Sequence, residues 1–121
     1  MQREKCPSCG YPTLEERGMF EICILCHWED DGQDDPYADE VWGGPNGDYS
    51  LTEARKNFKE NLIMYGDKRN ILSQTDKEIE TKKALISTFD ELRKREADSL
   101  EYKAIWNKIR SYEKILSEIS Y

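Results

Sequence analysis

Cys6-Pro-Ser-Cys9 and Cys23-Ile-Leu-Cys26 decide the reading of this chain. They contain its only four cysteines, and in each pair two residues separate the thiols. A C-x2-C turn aims two thiolates at one point. Two such turns facing each other build the tetrahedral four-sulfur site that Zn2+ prefers, with Zn–S about 2.3 Å. The 13 residues between the pairs fall slightly short of the commonest spacing but suffice for a short hairpin that returns the second turn to the first. Four thiolates close the coordination sphere and leave no position for a catalytic water. The expectation is therefore one structural Zn2+ held by Cys6, Cys9, Cys23 and Cys26.

Other uses of these cysteines fit less well. A redox C-x-x-C follows a strand in a βαβ pattern, which the short segments here do not supply. Two disulfides would suit a secreted protein. The start, Met1-Gln2-Arg3-Glu4-Lys5, has no apolar stretch that could serve as a signal peptide. A reducing cytoplasm and a metal are the expectation. No run approaches the roughly 20 apolar residues needed to cross a bilayer.

The chain has 121 residues, 36% charged and 37% hydrophobic, so its core is modest and gains from a metal staple. Its charge is unevenly spread. From Gly18 to Ala54 there are ten acids and no Lys or Arg. Residues 1–54 carry three basic and thirteen acidic side chains, a net −10, whereas residues 55–121 carry fifteen and twelve, a net +3. Such a first half repels nucleic acid, whose affinity comes from Lys and Arg neutralising phosphates.

Thr13-Leu14-Glu15 and Met19-Phe20-Glu21-Ile22 read as two strands around Glu16-Arg17-Gly18. Gly10 supplies the conformational freedom the first turn needs. His27, directly after Cys26, remains an alternative ligand, although a neighbour of a ligand usually points away from the metal. The loop Trp28 to Pro36 lacks the register of a calcium-binding loop. A hard-cation site for Ca2+ or Mg2+, a solvated loop and an acidic docking surface all stay open for it. Gly43-Gly44-Pro45-Asn46-Gly47 lacks the ending and preceding strand of a phosphate loop, and its glycines are expected to turn around Trp28 or Trp42. Ser50-Leu51-Thr52-Glu53 is a capping box. It opens a helix with Leu51, Ala54, Phe58 and Leu62 on one face, ending near Gly66, and with Arg55, Lys56 and Lys59 on the other.

Cys6-Pro-Ser-Cys-Gly-Tyr, Leu14-Glu-Glu-Arg-Gly, Glu21-Ile-Cys-Ile-Leu-Cys, Trp28-Glu-Asp-Asp, Gly43-Gly-Pro-Asn and Ser50-Leu-Thr-Glu-Ala-Arg-Lys-Asn-Phe together resemble the bacterial cysteine-rich CPCC domain. The resemblance covers residues 6 to about 65. The third residue of the name-giving motif is Ser8 here, which leaves four thiols for the metal. The resemblance implies a small zinc-binding domain of the zinc-ribbon kind. Members occur in bacterial loci of the toxin–immunity type, which implies a binding protein more than an enzyme.

From Asp67 to Tyr121 there is no Gly and no Pro, which favours long helices. Thr75-Asp-Lys-Glu78 and Asp98-Ser-Leu-Glu101 resemble capping boxes and predict helices over 76–96 and 99–120. Tyr102, Ile105, Ile109, Tyr112, Leu116 and Ile119 recur three and four apart, a seam about 26 Å long. Leu72, Ile79, Leu85, Ile86, Phe89 and Leu92 offer a partner stripe. That stripe can close a hairpin within the chain, pair two copies as a homodimer, or take a partner's helix.

The expected fold is α+β: residues 1–66 form a small zinc-stapled β-hairpin module with one packed helix, and residues 67–121 a two-helix α-helical hairpin. No catalytic constellation appears around the single histidine, so an enzyme is not expected. The expected function is a cytoplasmic protein-binding module of the immunity or antitoxin type, neutralising a basic toxin domain. The surface for it comprises Asp30, Asp31, Asp34, Asp35, Asp39, Glu40 and Trp42, with Trp28 and Tyr37 as further aromatic anchors. The alternative is a zinc-ribbon regulatory or nucleic-acid-associated factor.

Overall fold

Each cysteine pair is built into its own short ribbon. Around the first, Glu4 and Leu14 form an isolated antiparallel bridge, with N–H···O distances of 2.7 and 3.1 Å. Inside it, Cys6 N donates to Tyr11 O and Gly10 N donates to Cys6 O. The second ribbon repeats the plan. Ile22 bridges Glu29, Cys23 N donates to Trp28 O, and His27 N donates to Cys23 O. In both, the residue after the second cysteine is left-handed, Gly10 at φ 81° and His27 at φ 72°. Glycine adopts this conformation freely, whereas histidine does so at a cost of about 1 kcal/mol.

This corrects the α+β expectation. The computed structural model describes residues 3–119, and among these no strand forms; four α-helices dominate. Thr13–Glu15 and Met19–Ile22 do not pair with each other as a zinc-stapled β-hairpin would require, because their bonding groups are taken locally. Leu14 is engaged by Glu4, and Ile22 by Glu29. The Glu21 carboxylate accepts the amides of Glu15 and Glu16 at 3.0 and 2.8 Å. Phe20 stands at φ 59°, with its amide donating to Asp30 O at 2.9 Å. A left-handed residue cannot continue a ladder.

The chain divides into two units, Met1–Ser73 and Gln74–Tyr121. The first unit buries Leu14, Leu25, Trp28, Leu51, Ala54 and Met64 around the cysteines. Helix α1 spans Leu51–Asn61 and opens on the expected capping box: Ser50 Oγ accepts from Glu53 N at 3.0 Å, and Glu53 Oε1 accepts from Ser50 N at 3.1 Å. It ends earlier than Gly66, because Leu62 turns left-handed at φ 61°. Ile63 and Met64 then enter the core, and Met64 N donates to Cys26 O at 2.9 Å. The glycine-rich segment makes a short 3-10 turn at Gly44–Asn46. It places buried Asn46 across the Glu29 peptide, its side-chain amide giving 2.8 Å to Glu29 O and taking 3.0 Å from Glu29 N. A short helix, α2, covers Lys68–Ser73.

The second unit is a helical hairpin of α3, Asp76–Leu92, and α4, Leu100–Glu118, packed on each other. Thr75 caps α3 as expected, its hydroxyl accepting from Glu78 N at 3.1 Å. The cap of α4 is Ser99 and not Asp98, which takes φ 70° instead. Helix α3 stops at Leu92, four residues before its expected end, and the expected last residue of α4, Ser120, lies outside the described residues. Ile105, Ile109 and Leu116 are buried, and α3 contributes Leu85, Phe89 and Leu92. Leu72 does not join the stripe; it lies in α2 and is 77% exposed. Trp106, which the three-and-four spacing passed over, fills the seam edge-on to Phe89 at 6.5 Å. Ile109 has no exposed surface. Ile109→Asp is therefore expected to destabilise this unit by about 3 kcal/mol, seen as a lower helical melting temperature.

Candidate metal centre

The two ribbons bring the four cysteine sulfurs within 4.8 Å of one another. Cys6 and Cys26 Sγ are 3.6 Å apart, and Cys9 and Cys23 Sγ 3.7 Å. A tetrahedron with metal–sulfur bonds of about 2.3 Å has edges of about 3.8 Å, so the spacing fits a tetrathiolate ion. All four are free thiols; Cys6, Cys23 and Cys26 are buried and Cys9 is half-buried. His27 is not part of the group.

Burial pushes the Cys9 and Cys26 thiols well up, reinforced by hydrogen bonds among the sulfurs. Burial acts on Cys23 too, yet hydrogen bonds from Cys26, Cys6, Cys9 and Thr13 hold it well below the ordinary thiol value. Thr13 Oγ1 lies 3.0 Å from Cys23 Sγ, so with Cys23 ionised the hydroxyl is the donor. Cys26 N reaches Cys23 Sγ at 3.4 Å, and Trp28 N reaches Cys26 Sγ at 3.5 Å. The knuckle backbone thus prepares sulfur for negative charge, and a bound cation would ionise the remaining thiols.

Sequence reasoning missed the groups that hold this arrangement from outside. Arg55 of α1 donates from Nε to Pro7 O at 2.9 Å and from Nη2 to Asp35 at 2.6 Å, tying the first knuckle to the acidic loop. Arg17 donates to Asp30 at 2.9 Å, Asp34 at 2.7 Å and Gln33 O at 3.3 Å. The signal for both was their place at the edges of a stretch otherwise free of cations.

The acidic residues fall into different environments. Asp30 has 0% exposure; its carboxylate accepts from Arg17, Gly18 N at 2.6 Å and Gly32 N at 3.2 Å, so it belongs to the interior and not to a surface. Asp31 is half-buried and accepts from Gln33 N, closing a turn. Asp34 caps a 3-10 turn at Asp35–Tyr37. Its hydrogen bond from Arg17 holds its carboxyl below the usual value, so the stability it adds is lost as pH falls through that lowered value. Asp39 accepts from Thr52 Oγ1 at 2.6 Å. Asp35, Asp39 and Glu40 are exposed. Trp28 is fully buried and unavailable as an anchor, whereas Trp42 is 44% exposed and leans on Tyr37 with ring centroids 5.9 Å apart.

No helix among the described residues is long and apolar enough to cross a membrane. No curated protein and no solved structure matches the chain. The family description cysteine-rich CPCC does match, over residues 4–78, reaching past α1 and α2 into the first turn of α3. With more than half of the chain inside the match, the protein belongs to the cysteine-rich CPCC family.

Proposed function

We propose that the chain is a zinc-stapled protein-binding module of the immunity or antitoxin type, acting in the cytoplasm without catalysis on a basic protein. Zinc is favoured because a closed four-sulfur tetrahedron suits a d10 ion with no redox role. The observation that carries the binding reading is the acidic loop, where Tyr37 and Trp42 stand exposed among Asp35, Asp39 and Glu40. Aromatic anchors inside a charged rim are the usual division of labour at interfaces, with affinity from the rings and association rate from the charges. Asp30 drops out of the surface expected from sequence; Asp31, Asp34, Asp35, Asp39, Glu40 and Trp42 remain.

The test is co-purification of a partner, identified by mass, followed by binding kinetics. Asp39→Asn with Glu40→Gln is expected to slow association by about tenfold at low salt and to flatten its salt dependence. Trp42→Ala is expected to speed dissociation by about 30-fold with the fold intact. Retention of a polynucleotide at physiological salt, with no protein partner, would decide for a regulatory nucleic-acid role instead.

A further inference from the structure

The sharpest local conflict between sequence and solvent lies between the two knuckles. Met19, Phe20 and Ile22 are 62%, 56% and 62% exposed, three large apolar side chains within four residues. Single exposed apolar residues are ordinary on a protein surface, but a contiguous group on one loop marks a contact site. The backbone beneath them is not slack. Glu21 fastens the amides of Glu15 and Glu16, Arg17 makes three hydrogen bonds, and Gly18 N donates to Asp30. Phe20 is held left-handed at φ 59°, a conformation that a bulky side chain enters only when its surroundings force it. The loop therefore holds a strained aromatic outward on a rigid base, as an anchor that enters a partner's pocket with little ordering cost.

We propose that Phe20, flanked by Met19 and Ile22, is the central anchor for the protein partner, inserting into an apolar pocket rimmed by Lys and Arg. The charge of the loop selects that chemistry. Glu15 and Glu16 are exposed on it, while its only cation, Arg17, is taken up by Asp30 and Asp34. The same bonds make the loop continuous with the acidic segment that bears Trp42, since Phe20 N donates to Asp30 O and Arg17 Nη1 reaches Asp34. The inference rests on the protein-binding reading proposed above and adds to it the residue that carries the affinity.

The experiment places the photo-cross-linking residue p-benzoylphenylalanine at position 20 or, separately, at position 42 of the full metal-loaded chain. The products are identified by mass, and the captured protein is then purified for binding measurements. The expected result is capture of one basic protein from position 20 and about 100-fold weaker binding by Phe20→Gly. Because glycine suits a left-handed position, Phe20→Gly is expected to melt at or above the parent temperature. Met19→Ser, which leaves the backbone alone, is expected to weaken binding by about tenfold. Capture from position 42 only, or unchanged binding by both variants, overturns the anchor while leaving the protein-binding reading in place. Capture of nothing but a second copy of this chain overturns the assigned partner chemistry. No protein captured from either position overturns both readings.

Discussion

Cys23→Ser is expected to strip the metal and unfold the knuckle unit. Cys23 is the most heavily engaged of the sulfurs, meeting Cys9 Sγ at 3.7 Å, Thr13 Oγ1 at 3.0 Å and Cys26 N at 3.4 Å. Among the described residues its unit has only isolated backbone bridges and relies on a small core and the side-chain ties of Arg17 and Arg55, so the four sulfurs hold a large share of it together. Structural zinc contributes an apparent 10–16 kcal/mol in small metal-stapled folds, about as much as a domain's whole stability of roughly 5–15 kcal/mol. Elemental analysis is expected to give one zinc for each parent chain and none for the variant, with loss of the near-ultraviolet signal of buried Trp28. A Cys23→Ser protein that melts like its parent would falsify the structural role of the metal. Thr13→Val, which removes only the hydroxyl donor, is expected to keep the fold while weakening zinc by about 10-fold in a chelator competition.

Lys82→Ala is expected to destabilise the helical unit by about 3–5 kcal/mol. Lys82 and Glu78 face each other one turn apart on α3 with side chains 0% and 1% exposed, Nζ lying 3.3 Å from Glu78 Oε2 and 2.7 Å from Gln74 Oε1. Removing the ammonium takes away the cation that the buried Glu78 carboxylate faces. The double change Glu78→Leu with Lys82→Met is expected to recover parental stability or exceed it, since a well-packed apolar pair removes both desolvation costs. A loss below about 1 kcal/mol for Lys82→Ala alone would show that water reaches the pair.

The gathering of the four cysteines and the helices were legible because each rests on short-range chemistry. Two C-x2-C pairs, and Ser50 with Glu53, state their geometry within four residues. The missing hairpin was not legible, because the strand-prone Phe20 and Ile22 mimic a strand while Glu21 and Asp30 capture the backbone groups that a strand would use. Burial of Asp30 and Lys82 ran against residue type; Asp30 is compensated by Arg17 and the amides of Gly18 and Gly32, and Lys82 by Glu78 and Gln74. Trp106 was passed over for a related reason: a seam read as one line of side chains leaves out the neighbour that widens it.

The repetition of the two ribbons bears on how an ion is acquired. Cys6 with Cys9, and Cys23 with Cys26, are each enclosed by the same six-residue pattern of hydrogen bonds, made wholly within its own segment. Such contacts close over short loops and form early and fast. Each pair would thus present its two thiols to a bound ion from a turn shaped by its own segment, rather than as scattered side chains. Half-buried Cys9, which lines a cavity of about 380 Å3 with Phe58 and Lys59, is the least enclosed of the four cysteines and the sulfur of the set that a solvent-borne ligand would meet first.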